Sequence, residues 1–267
     1  MTADSQNARI VSRGCRRQPL ERPPWREEYH SCAIVRSTQW FANHKREKSK
    51  MNNTVLFFEN KNDELLPEEF RHEDIRFAEG FVRYILEQYT QSGDIVFDPF
   101  AGYATTLIVS EQLNRVCYGI EADRARYEYG LTRLRRKDLL IHGDSLNLSK
   151  YGIPALDLIL FSPPYMNESY DRNPLRGELK QDDCYSKYLQ DLLSIATSAW
   201  RLLNPGKHLI VEAANLVGDS GVTTLAWDIA ILFKAEFPFI KEKVLHWGGG
   251  YGPGYDHSYC LIFRKDG

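Results

Sequence analysis

The chain has 267 residues, 43% hydrophobic and 12% aromatic, with a formal net charge of −2. That length accommodates one large α/β domain with appendages and a sizeable core. No apolar run approaches the ~20 residues that cross a bilayer, and the N-terminus has no apolar signal core, so a membrane span and a leader are not expected. Five scattered cysteines, never in CxxC, argue against a disulfide framework and a zinc site and for a cytoplasmic protein with reduced thiols and no metal.

The small net charge hides an asymmetry. Residues 1–50 hold 11 Lys/Arg and 5 Asp/Glu, leaving 23 basic and 31 acidic residues in the remainder. A basic arm on an acidic body suits a nucleic-acid partner, although a solvated tail without a partner has the same composition. Residues 1–50 lack sustained periodicity and read as a disordered arm; residues 51–267 read as the functional body.

In chain order, the body alternates strands and helices. Residues 65–89 carry helix-spaced apolar positions, with Phe77, Phe81, Val82, Ile85 and Leu86 on one face, and Ser92-Gly93-Asp94 closes the helix. Residues 94–98 form a strand, 103–114 a helix, 116–121 a second strand, 124–134 a second helix and 138–142 a third strand. Leu156–Phe161 is the fourth strand. A long amphipathic helix over 185–203 stops at Asn204-Pro205-Gly206, 208–214 is the fifth strand, and 222–237 is a further helix. Residues 240–247 and 257–265 form a terminal strand pair around the glycine-rich stretch GGGYGPGYD. This alternation predicts a mostly parallel, doubly wound sheet with helices on both faces.

Three candidate positions follow strands and would meet along one sheet edge. In DPFAGYATT (98–106), Gly102 permits close backbone approach to a ligand before a helix N-terminus with free N–H groups. Glu121 ends the second strand about 20 residues later, where a carboxylate accepts ribose hydroxyls; a helix start capped by Asp123 is the plain structural alternative. Asp144 follows the third strand, where it can accept from an adenine amine or simply serve a turn.

The fourth strand runs straight into Ser162-Pro163-Pro164-Tyr165. Prolines cannot continue a central strand, so they form a stiff turn at its carboxyl end. An exocyclic base amine is a poor nucleophile because its lone pair is delocalised into the ring. Two acceptors aimed at its N–H bonds, Ser162 Oγ and a backbone carbonyl beside Pro163, would draw the nitrogen towards tetrahedral geometry. Tyr165 offers a face on which an extruded base can stack.

DPFAG, GIEAD, GDS and SPPY, in that order and spacing, resemble the DNA amino-methyltransferases, which methylate adenine-N6 or cytosine-N4 from S-adenosylmethionine. The resemblance covers about residues 65–265. It implies a Rossmann-like class I methyltransferase fold: a seven-stranded, mostly parallel doubly wound α/β sheet whose antiparallel last strand inserts between the fifth and sixth. It implies cofactor positions at Asp98, Pro99, Phe100, Gly102, Glu121, Asp144 and Phe77, and catalytic positions at Ser162, Pro163, Pro164 and Tyr165. Serine in the last motif leans towards cytosine-N4 of DNA. Adenine-N6 methylation, an RNA base substrate and a non-catalytic cofactor-binding subunit are the alternatives.

Two departures stand out. The family's turn reads DPFxGSGTT, whereas Tyr103 and Ala104 replace its serine and second glycine, narrowing the backbone choices beside the cofactor. No target-recognition domain is evident. Sequence choice would rest on the loops at 166–184 and 248–256, the basic arm, or a specificity partner protein.

Overall fold

The computed structural model describes residues 53–73, 76–170, 172–176, 184–218, 221–249 and 254–267. The basic arm at residues 1–50 lies outside them, as do parts of both candidate recognition loops. Among the described residues no helix is long and apolar enough to cross a membrane, and no group of three or more His, Cys, Asp or Glu is placed to hold a metal ion.

Eight strands form the main sheet. In chain order the elements are β1 (Val55–Glu59), α1 (Glu79–Tyr89), β2 (Ile95–Asp98), α2 (Thr105–Gln112), β3 (Val116–Glu121), α3 (Arg124–Arg133), β4 (Leu140–His142) and β5 (Leu156–Phe161). There follow α4 (Cys184–Leu202), β6 (Leu203–Ala213), β7 (Leu216–Gly218), β8 (Gly221–Thr223), α5 (Leu225–Lys234), β9 (Phe239–Gly248) and β10 (His257–Arg264). The sheet order is β1-β9-β10-β6-β5-β2-β3-β4, with β10 antiparallel between β9 and β6, and β7 pairs with β8 in a separate hairpin.

The expected class and the insertion of the last strand are borne out; the strand count is corrected from seven to eight. The added strand, β1, lies parallel to β9 at the sheet edge. An edge strand needs one partner and buries one side, so burial in β1 alternates even though Val55, Leu56, Phe57 and Phe58 are all apolar. Residues 215–223, read as a loop and the start of the next helix, include the hairpin. Asn204-Pro205-Gly206 does not lead to a separate strand start: β6 begins at Leu203, and a register shift against β5 between Leu156 and Leu158 absorbs the irregular residues.

Side chains on the two sheet faces build two cores. Phe161, Leu192, Ala196, Val211 and Phe263 share one with α4 and α5; Phe81, Ile85, Leu107, Leu160 and Ile262 share the other with α1 and α2. β5 is central and buried on both faces apart from Asp157, which explains its nearly unbroken apolar run. Phe81, Val82, Ile85 and Leu86 form the buried stripe of α1 as the periodicity predicts, but Phe77 precedes that helix. This placement frees Phe77 to face the carboxyl edge of the sheet.

Candidate active site

The carboxyl ends of β2, β3, β4 and β5 open onto one cleft. Its walls include Phe77, Asp98, Pro99, Phe100, Gly102, Glu121, Asp144, Ser162, Pro163 and Pro164, so every expected position except Tyr165 lines it. Parallel strands ending side by side bring Asp98 and Pro164, 66 positions apart, into one cavity, the usual location for a ligand in an open α/β sheet.

Two carboxylates organise the first turn. Asp98 is 2% exposed; its Oδ1 accepts from the Phe100 amide at 2.9 Å and its Oδ2 from the Thr106 hydroxyl at 2.6 Å. It thereby ties the start of the turn to the first residues of α2. Burial pushes its pKa up to about 7 against the opposing pull of these two hydrogen bonds. Glu121 accepts from Gly102 N–H through Oε2 and from Asp123 N–H through Oε1, both at 2.7 Å. Burial raises its pKa as well, with the same backbone bonds pulling it down. The helix-start role weighed for Glu121 is thus present, and Asp123 caps α3 through the Arg126 amide. Each Glu121 oxygen keeps a further lone-pair direction for a ligand hydroxyl.

The turn keeps its left-handed geometry without the second glycine. Gly102 has φ of 52° and Ala104 has φ of 68°, a region that costs a residue with a Cβ roughly 1–2 kcal/mol. Packing holds it there. Tyr103 is buried beneath Phe70 and Tyr129, with ring centroids 5.4 and 5.9 Å away, and its carbonyl accepts from Arg133 at 3.1 Å. Ala104 faces α3 at Gly130, where an added Cβ would stand 3.3 Å from the Ala104 methyl and 3.0 Å from Leu140. A glycine inside α3 is the space that lets Ala104 occupy the turn.

Asp144 fills the turn role weighed for it and stands at the cleft as well. Its carboxylate caps the following short helix through the Leu146 amide at 2.8 Å, and it also borders the cleft. Ser145 donates to the Pro99 carbonyl and locks this loop to the first turn.

At the fourth position, Pro163 is buried and Ser162 half-buried. No other described residue hydrogen-bonds the Ser162 hydroxyl, so its lone pairs are available to a molecule in the cleft. Tyr165 stands apart from the cleft wall. Its hydroxyl donates to Glu212 Oε2 at 2.9 Å, and its ring is half-buried against the core. Glu212 itself is 1% exposed on β6. Sequence reasoning missed Glu212, Thr106, Ser145, Arg76 and Arg126. The last two border the cleft, and Arg126 lies over the Tyr103 ring, 5.7 Å from its centroid. Thr106, inside the DPFAGYATT turn, and Ser145, the last residue of GDS, left a local signal; the others did not.

The comparisons with known proteins agree with this geometry. Residues 18–131 match a protein family described as DNA methylase, and the match begins inside the segment read as a basic arm. No curated protein matches the chain in sequence. Among solved structures, TrmN from Thermus thermophilus aligns with a TM-score of 0.52 at 17% identity, covering 71% of this chain and 49% of that one. The chain thus spans about half the length of that relative. A methyltransferase from Pyrococcus furiosus aligns over 71% of this chain and 84% of that one, at 17% identity and a TM-score of 0.49. The fold is that of Rossmann-like methyltransferases, and the resemblance to the DNA amino-methyltransferases is borne out. The cleft fits S-adenosylmethionine, the cofactor that the resemblance implies: Glu121 retains acceptor capacity at a strand end, and the adjacent turn holds a glycine at positive φ.

Proposed function

Because residues 18–131 match the DNA methylase family, we propose that this chain is an S-adenosylmethionine-dependent methyltransferase that modifies an exocyclic base amine, cytosine-N4 of DNA. The observation that carries the reading is the Ser162 hydroxyl, without a partner among the described residues and in the same cleft wall as Glu121 and the DPFAG turn. The cofactor, when bound, supplies an electrophilic methyl group on a sulfonium.

This chain's residues hold the amine in the reactive geometry. Ser162 Oγ accepts one N–H and the backbone carbonyl beside Pro163 accepts the other, concentrating the nitrogen lone pair towards the methyl group. Pro163 and Pro164 stiffen the turn that carries both acceptors, so little is spent on reordering at reaction. Tyr165, beside the cleft, offers a stacking face for the extruded base, and its bond to buried Glu212 fixes the ring's position. Gly102, Glu121 and Asp144 hold the cofactor's ribose and adenine. Asp98, 2% exposed and bonded to Phe100 and Thr106, is a brace of the turn and not a proton acceptor exposed to substrate.

The arm at residues 1–50 contributes non-specific phosphate contacts through its 11 basic residues. The catalytic body is residues 51–267. The test supplies labelled S-adenosylmethionine with separate DNA and RNA pools. Label in DNA alone supports the reading. Label in RNA alone moves the substrate class, and label in neither, with cofactor still bound, favours a non-catalytic subunit.

A further inference from the structure

We propose that Asp191, acting through Arg176 and Asn173, is a positioning residue that holds the Pro174–Leu175 turn as a wall of the cofactor cleft. This rests on the assignment of the cleft to S-adenosylmethionine.

Asp191 sits on α4 at 3% exposure, and four side-chain hydrogen bonds converge on it. Arg176 grips it with both Nε and a terminal nitrogen, the latter at 2.9 Å. Asn173 Nδ2 donates at 3.1 Å, and Lys187 Nζ donates from one helical turn away at 2.9 Å. Asn173 is itself 2% exposed, and its Oδ1 accepts from the Leu175 amide at 2.9 Å. A closed network therefore runs from α4 through Asn173 to the backbone of the turn it flanks.

That turn follows the catalytic motif by ten residues, and both Pro174 and Leu175 border the cleft. Ile195, four residues beyond Asp191 and so on the same face of α4, borders it too. The helix that carries the anchor also supplies the neighbouring piece of wall. A second tie holds the start of this segment: Asn167 Oδ1 accepts from Ser169 and from Thr223 on β8.

Stability does not explain the cluster. α4 already buries Tyr188, Leu192, Ile195, Ala196 and Ala199, and a buried ion pair often contributes no more than an apolar replacement of similar shape. What the cluster adds is a defined position for a segment that would otherwise have few apolar anchors. The net effect of its donors holds the Asp191 carboxyl below its usual range even though burial pulls the other way, as a permanently ionised anchor requires.

The experiment measures S-adenosylhomocysteine binding by calorimetry and thermal unfolding for the full chain and for Arg176→Ala, Arg176→Lys and Asp191→Asn. Arg176 is 32% exposed at its side chain, so its truncation leaves the fold standing. The expected result for Arg176→Ala is a dissociation constant about tenfold higher, equivalent to ~1.4 kcal/mol, with the unfolding temperature nearly unchanged. Arg176→Lys, which keeps the charge but loses the fork, should recover part of the affinity. A lowered unfolding temperature with unchanged affinity in Arg176→Ala and Asp191→Asn would make the cluster a fold brace and overturn the inference. No binding by the unmodified chain would instead overturn the cofactor assignment, and this inference with it.

Discussion

The two ends of the cleft are built differently. At the end lined by Asp98 and Glu121, both oxygens of each already accept: those of Asp98 from Phe100 and Thr106, those of Glu121 from Gly102 and from Asp123 before α3. At the target end, the Ser162 hydroxyl accepts nothing from the described residues, and Tyr165 is held by its hydroxyl while its ring remains half-buried. On the proposed function, the contrast follows from what each end has to do. A cofactor turn has to exist before its ligand arrives, so its carboxylates first satisfy backbone donors and keep spare lone pairs for the ligand. A group that stabilises a reacting amine must be rigid yet unsatisfied, and two prolines supply rigidity without consuming the hydroxyl.

The sharpest way to break this contrast is Ser162→Ala. It should lower methyl transfer by ~10²–10³, about 2.7–4 kcal/mol, while cofactor affinity measured by calorimetry stays put. A parallel loss of affinity would mean that the two ends are not separable.

Glu121→Gln attacks the other end. The new amide cannot accept from both Gly102 and Asp123, so one charge-assisted bond worth about 1.5–3 kcal/mol is lost and a donor faces a donor. Affinity and unfolding temperature should fall together, because the same carboxylate serves ligand and turn. A fall in affinity alone would show that the backbone bonds carry little.

Asp98 sharpens the comparison through pH. Its folded pKa, about 7, lies above the ordinary 3.8. Between these values the folded protein retains a proton that the unfolded chain has released. This group therefore makes the cofactor-free protein less stable as pH rises from about 4 to 7, with a slope of at most ~1.4 kcal/mol per pH unit, and adds no slope above. Asp98→Asn should flatten that part of a series of thermal unfolding curves; curves parallel to the original would remove Asp98 as the cause.

The smallest effect is expected at Ala104→Gly. Relief of about 1 kcal/mol of left-handed strain is offset by a lost buried methyl of about 0.8 kcal/mol. Unfolding should shift little in the single variant. Gly130→Ala should destabilise, and Ala104→Gly should recover part of that loss in the double variant. Strict additivity would show that the two residues do not share the space.

This also marks how far the sequence could be read. Asp98, Gly102, Glu121 and Ser162 were legible because strand ends, a tight turn and proline stiffness are local properties. The parallel order followed from apolar runs such as Leu156–Phe161. Glu212 was not legible, because a buried carboxylate 47 positions from Tyr165 leaves no periodic trace. Nor was β1, whose half-exposed edge pattern is weak. The substitution of Tyr103 and Ala104 could be seen as a departure, but its compensation by Gly130 and Phe70 needed the packing.

The most direct test of the central claim is the identity of the modified nucleoside. DNA treated with the full chain and labelled S-adenosylmethionine should be digested to nucleosides and resolved by mass against standards. The SPPY turn predicts N4-methylcytosine. N6-methyladenine would keep the amine chemistry and change the base. Finding 5-methylcytosine would contradict the account, because methylation at ring carbon requires a cysteine nucleophile that Ser162-Pro163-Pro164-Tyr165 does not contain.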